Sequence, residues 1–92
     1  MNLDIKWTTQ FKRDYKAAMK RNLDISKLDN IISKLSKREP LPEHNKDHAL
    51  TGNYKGFREC HIEPDWLLIY MIQNATLVLT LTRTGSHSDL FG

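Results

Sequence analysis

The stretch "LDIKWT", Leu3 to Thr8, alternates apolar and polar residues, the period-two pattern of a half-buried strand. Thr8 or Thr9 is placed to cap a helix after it. Phe11, Tyr15, Ala18 and Met19 then fall at i, i+4, i+7 and i+8, one helical stripe. Asp24 caps a second helix, in which Ile25, Leu28, Ile31, Ile32 and Leu35 repeat the stripe. Pro40 disfavours helical backbone at Glu39, so this helix is expected to end near Arg38. Two short one-sided helices joined by a brief turn predict a helical hairpin lying on a sheet. "EPLPEHNKDHALTGNYKG" is the one long irregular stretch. Three strands are predicted beyond it: Phe57 to Ile62, Trp66 to Ile72 after the turn "EPD", and Thr76 to Arg83 after "QNA". The middle one is apolar on both faces and so belongs inside the sheet. In the last, Leu77, Leu79 and Leu81 share one face, and Thr76, Val78, Thr80 and Thr82 the other. The order β-α-α-β-β-β predicts a small α+β domain, a helical hairpin on an antiparallel sheet, spanning residues 1–92 as one unit.

Composition narrows the class. With 39% hydrophobic and 27% charged residues the chain reads as a soluble globular protein. The longest apolar run, Trp66 to Ile72, is far short of the ~18–20 residues that cross a bilayer, so no membrane association is expected. The start "MNLDIKWTTQFKRD" is charged throughout, unlike a signal peptide. The single cysteine, Cys60, excludes an internal disulfide and suits a reducing cytoplasm. Charge is unevenly spread. Met1 to Arg38 carries ten Lys and Arg against four Asp, whereas Glu39 to Gly92 carries four against seven Asp and Glu. A basic first part suits a polyanion or an acidic protein partner, although solvated helix faces give the same balance.

The candidate chemistry gathers at strand ends. His48 precedes the strands, His61 ends the first, Asp65 opens the second, and Arg83 and His87 follow the third. In a three-stranded meander these ends lie along one edge of the sheet. Histidine exchanges protons near neutrality, arginine presents a planar fork to phosphate oxygens, and a ring such as Phe91 or Trp66 stacks on an unpaired base. Together they suit RNA cleavage, in which the ribose 2′-hydroxyl attacks its own phosphate. Two acid–base groups and one cation suffice, so no metal or cofactor is expected. Each residue has a plainer alternative. Asp65 holds a turn, Arg83 pairs with Glu59, Phe91 plugs the core, Trp66 is packing, and Cys60 is a small buried residue. Strict alternation sets Arg83 on the Leu79–Leu81 face, so the strand must twist, bulge or stop for the site to form. His44 and His48 have the i, i+4 spacing of a zinc pair, but two prolines precede them and no second ligand pair follows.

Three blocks carry a resemblance: "KDH.L.G..KG.R..H", "H.EPDW.L.Y" and the tail "R.G.H..LFG". In this order, behind a β-α-α start, they resemble the YafQ type of bacterial toxin within the RelE/ParE superfamily, over nearly the whole chain. The resemblance implies a RelE-like fold and a ribosome-dependent, metal-independent endonuclease that cuts the mRNA codon in the decoding site of the small ribosomal subunit. It implies that His87 is the proton donor. His48, His61 and Asp65 supply the other acid–base and orienting groups, Arg83 stabilises the cleaved phosphate, and Phe91 positions the RNA. Lys46 and Lys55 of the first block, with Trp66, are expected to meet the RNA. The resemblance also implies a DinJ- or RelB-like ribbon-helix-helix antitoxin, a heterotetramer with it, and operator DNA bound through it. Two rivals remain on this fold: a ParE-like gyrase inhibitor, and a non-catalytic RNA- or protein-binding domain. Neither calls for three histidines and an arginine at one sheet edge.

Overall fold

The computed structural model describes residues 2–92. Strand β1 (Asp4–Trp7) leads into α1 (Thr9–Lys20) and α2 (Ile25–Ser36). The Thr8 hydroxyl accepts the Phe11 N–H at 2.9 Å, and the Asp24 carboxylate accepts the Ser26 N–H at 3.1 Å. The two expected helix starts are therefore capped. Asn22 and Arg38 take left-handed backbone just past each helix and turn the chain away. The irregular segment holds 3₁₀ turns at Glu43–Asn45 and Gly52–Tyr54 and a two-residue strand, β2 (His48–Ala49). Strands β3 (Arg58–Glu63), β4 (Trp66–Gln73) and β5 (Val78–Gly85) form the meander, and a short helix α3 (His87–Phe91) closes the chain.

The architecture is α+β, with the hairpin laid on a five-stranded sheet ordered β1-β5-β4-β3-β2. From β2 to β5 the pairing is antiparallel, as expected; β1 runs parallel to β5. The two helices between β1 and the meander provide the long crossover that a parallel neighbour needs. β5 begins at Val78, not Thr76, because Leu77 sits at φ 55° in the preceding turn and is partly exposed. β2 and α3 were not expected.

Two apolar clusters lie on opposite faces of β4. Phe11, Ala18, Leu28, Ile31, Ile32 and Leu35 of the hairpin pack on Cys60, Leu68, Tyr70, Leu79 and Leu81. Leu67, Ile69 and Leu90 form a smaller cluster on the other side, edged by Leu50, Tyr54 and Phe57. The strand that is apolar on both faces thus floors both layers, with Leu67, Leu68 and Ile69 all fully buried. Burial pushes the Cys60 thiol up to about 12, which leaves it an inert packing group.

Strict alternation fails at one point in β5. Tyr70 pairs with Leu81, but the next β4 residue inward, Ile69, pairs with Arg83. Thr82 is the extra residue of a β-bulge. The bulge reverses which residues face the hairpin. Arg83 leaves the Leu79–Leu81 face and joins Ile69 on the open face, while Thr84 turns inward beside Leu68 and is buried.

Candidate active site

The irregular segment is tied to the sheet by the residues of "KDH". Asp47 accepts hydrogen bonds from the Tyr70 hydroxyl and from Arg58 Nε. Burial and this carboxylate together raise the Tyr70 phenol. Buried Asn45 donates Nδ2 to the His61 carbonyl at 2.7 Å. Lys46, between them, takes left-handed backbone at φ 48°. That geometry turns its carbonyl to within 2.6 Å of His48 Nδ1. A carbonyl only accepts, so Nδ1 of His48 carries the hydrogen and Nε2 is left for other work.

His48, Glu59 and His61 share the open face. His48 pairs with Glu59 across β2 and β3, and His61 follows Glu59 by two residues. His61 repeats the arrangement of His48: its Nδ1 lies 3.2 Å from the Pro64 carbonyl. The two Nε2 atoms approach opposite oxygens of one carboxylate, His48 at 3.8 Å from Glu59 Oε2 and His61 at 3.6 Å from Oε1. Glu59 is only 4% exposed. The one carboxylate thus faces the Nε2 edge of both rings. Sequence reasoning assigned Glu59 only a structural part. Its spacing from His61, two residues along one strand, is the signal that places them together.

Across the central strand stands the C-terminal segment. His61 is in register with Leu67, and Leu67 with Gly85; Glu59 is in register with Ile69, and Ile69 with Arg83. Two strand spacings, about 10 Å, therefore separate each pair across an apolar floor of Leu67 and Ile69. Arg83 does not take the alternative pairing with Glu59, whose oxygens face the two histidines. Arg83 binds Asp14 of α1 instead, Nε to Oδ2 at 3.0 Å and Nη2 to Oδ1 at 3.1 Å. The hydrogen bond to Asp14 raises the Arg83 guanidinium, and Tyr54 and Asp89 nearby add to the rise.

Asp65 does not sit among the rings as a free acid–base group. Its Oδ1 accepts the backbone N–H of His87 at 3.0 Å and so fixes the start of α3. Ser86 and Asp89 complete a reciprocal capping box, and Arg21 of α1 grips Asp89 at 2.7 Å. That contact, with the Ser86 hydrogen bonds, holds the Asp89 carboxyl well below its usual range. Gly85 is required for the close approach: a Cβ there, at φ 158°, would lie 3.0 Å from Asp89 Cβ. Held this way, α3 presents exposed His87 and Phe91 with ring centroids 5.1 Å apart, and Tyr54 sits 5.6 Å from Phe91 on the other side. Tyr54, inside the "GNYKG" stretch, was missed; it extends the aromatic wall.

Trp66 requires a correction. It is 3% exposed, belongs to the hairpin core, and donates Nε1 to Thr84 Oγ1 at 3.0 Å. Its ring cannot stack on a base, because its position in β4 points it to the hairpin side. Lys46 and Lys55 are exposed on the irregular segment, and Lys46 lines a cavity with Lys27, Ile31 and His61. Among the described residues, no group of three or more His, Cys, Asp or Glu side chains is arranged to hold a metal ion. The surface so assembled offers two oriented imidazoles around one carboxylate, and across from them a cation, a third imidazole and an exposed ring.

A family model described as the bacterial toxin of type II toxin-antitoxin system, YafQ, matches residues 3–92. The chain is 43% identical over 90 residues to the mRNA interferase toxin YafQ of Escherichia coli strain K12, covering 97% of this chain and 96% of that protein. The crystal structure of YafQ from E. coli strain BL21(DE3) superposes with a TM-score of 0.92 at 42% identity, covering 98% of this chain and 99% of that one. YafQ in the E. coli DinJ–YafQ toxin–antitoxin complex superposes with a TM-score of 0.91 at 42% identity, covering 100% of both chains.

Proposed function

The chain belongs to the YafQ family of toxins from bacterial type II toxin–antitoxin systems, and from that premise we propose that it is an mRNA interferase. It cuts the codon held in the ribosomal decoding site, and it works in the cytoplasm, where translated mRNA is. The observation that carries this reading is the open face itself. The bulge at Thr82 and the capped α3 set Arg83, His87 and Phe91 across an apolar floor from the His48–Glu59–His61 group.

The reaction needs one proton removed and one delivered. An unprotonated Nε2, of His48 or His61, takes the 2′-hydroxyl proton. The 2′-oxygen attacks phosphorus, and charge builds on the non-bridging oxygens, where Arg83 stabilises it. His87 gives its proton to the departing 5′-oxygen. The P–O5′ bond breaks, leaving a 2′,3′-cyclic phosphate and a 5′-hydroxyl. The ring of Phe91, 41% exposed beside His87, stacks on a base next to the scissile bond. Asp65 acts through His87, by holding the helix start on which it rides. Lys46 and Lys55 add positive charge along the RNA path. All three chemical roles are filled by side chains, and the cycle calls on no metal.

The partner is a DinJ-like antitoxin of the ribbon-helix-helix type, which assembles with the toxin as a heterotetramer and carries the complex to its operator. Primer extension on an mRNA translated in a reconstituted bacterial system tests the catalytic reading, with the parental chain and His87→Ala side by side. Cuts within codons that require ribosomes and vanish in the variant are the expected result. Equal cutting by both would remove His87 from the chemistry, and no cutting by either would remove the nuclease.

A further inference from the structure

Asp14 lies on α1, 69 residues before the arginine it holds, and nothing in the proposed chemistry uses it. Its side chain is 10% exposed, so its charge is largely withdrawn from water. Such a carboxylate persists only where donors replace its solvent. Gln10 Nε2 of the same helix donates to Oδ1 at 3.1 Å, and the other three donors come from two consecutive residues of β5: Arg83 Nε at 3.0 Å, Arg83 Nη2 at 3.1 Å and the Thr84 backbone N–H at 3.2 Å. β1 ends its pairing at Trp7, opposite Leu81, so the β5 edge beyond it is open. Asp14 occupies that edge in place of a strand. It takes one side of the guanidinium fork, Nε with Nη2, and leaves Nη1 facing away from the carboxylate.

We propose that Asp14 is a positioning residue for RNA cleavage: it docks one edge of the Arg83 guanidinium so that the remaining Nη1 edge meets the scissile phosphate. This inference rests on the cleavage reading above. A flexible arginine loses rotamer freedom on binding a phosphate. One already held by two hydrogen bonds does not, and a misplacement of about 1 Å at a reacting phosphate costs roughly 100-fold in rate. The bulge and Asp14 act in succession on the same side chain. Thr82 sets the face from which Arg83 leaves the strand, and Asp14 sets where its charge comes to rest.

Asp14→Asn tests this. It keeps the size and one oxygen for the Thr84 N–H, but it abolishes the paired acceptor. Cleavage is measured in single turnover on translating ribosomes over a range of toxin concentrations. The expected result is a saturated rate lower by roughly 10- to 100-fold, with the half-saturating concentration and the melting temperature close to parental. A purely structural Asp14 would lower the melting temperature and leave the rate of the folded protein alone. The same change in an Arg83→Lys background distinguishes further, because lysine has no fork to dock; there Asp14→Asn is expected to cost no more than about twofold. Parental rates for Asp14→Asn, or a full additional loss in the lysine background, would overturn the proposal. Arg83→Ala, run in parallel, keeps the premise separate: if it cuts at the parental rate, the role of Arg83 itself fails.

Discussion

β4 shows the same kind of residue to both sides of the sheet, yet the two sides have become different materials. Toward the hairpin, Leu68 and Tyr70 meet continuous apolar packing whose polar atoms are matched in pairs, such as Trp66 with Thr84. Toward the open side, Leu67 and Ile69 meet a single helical side chain, Leu90, and a rim of charged and aromatic groups. The hairpin covers one face completely. α3, five residues long, covers only part of the other. One face holds the fold together, and the other keeps a short apolar floor bare enough for a substrate to lie against.

If that division is sound, variants on the two faces should fail in different assays. The largest effect belongs to His87→Ala, expected to lose about 10²–10⁴-fold in cleavage rate while its melting temperature, followed by circular dichroism, moves by about 3 °C or less. A large melting change there would mean that the open face also bears the fold. Next is Leu68→Ala, which removes a fully buried side chain from the hairpin face. It should cost about 2–5 kcal/mol in stability, roughly 10–40 °C in Tm, with the rate per folded molecule retained. Phe91→Ala should weaken substrate engagement by about 1–3 kcal/mol, read as a higher half-saturating toxin concentration, with Tm near parental. The smallest effect is that of the α1–α3 tie. The Asp89 carboxyl sits below its ordinary value of 3.8 when folded, chiefly through Arg21. Its contribution is therefore present above that value and fades as the pH falls below it. Both partners are exposed, so Arg21→Ala should shift Tm by no more than about 2 °C at neutral pH, and by less in acid.

The hairpin face was the more legible of the two in the sequence. Apolar spacing and the caps at Thr8 and Asp24 located both helices, and the doubly apolar Trp66–Ile72 stretch identified the central strand. Local pattern suffices where burial is continuous. It did not reveal that β1 joins β5 in parallel, because that choice is made by a crossover and not by any residue of β1. Nor did it reveal Asp14 as the partner of Arg83, since a long-range ion pair leaves no periodic trace. Two other features could have been read and were not. Ser86 and Asp89 have the spacing of a capping box, which foretells α3. Glu59 and His61 share a strand face by simple alternation. Trp66 misled because an aromatic residue at a strand start has equal claim to core and surface until the neighbouring strand, here Thr84, is placed beside it.

The single extra residue in β5 has a consequence for how this fold tolerates change. The Thr82 side chain has little part in the bulge: its hydroxyl reaches only its own strand, at 3.4 Å from the Thr80 carbonyl. Exchanging it for another strand-compatible residue leaves the odd–even order of everything downstream intact. Deleting it would straighten the ladder and keep that order as well, because Arg83 would then follow Leu81 directly and still face away from the hairpin. The bulge thus lets the strand carry one residue more or less between Leu81 and Arg83 without turning the guanidinium toward the oily interior.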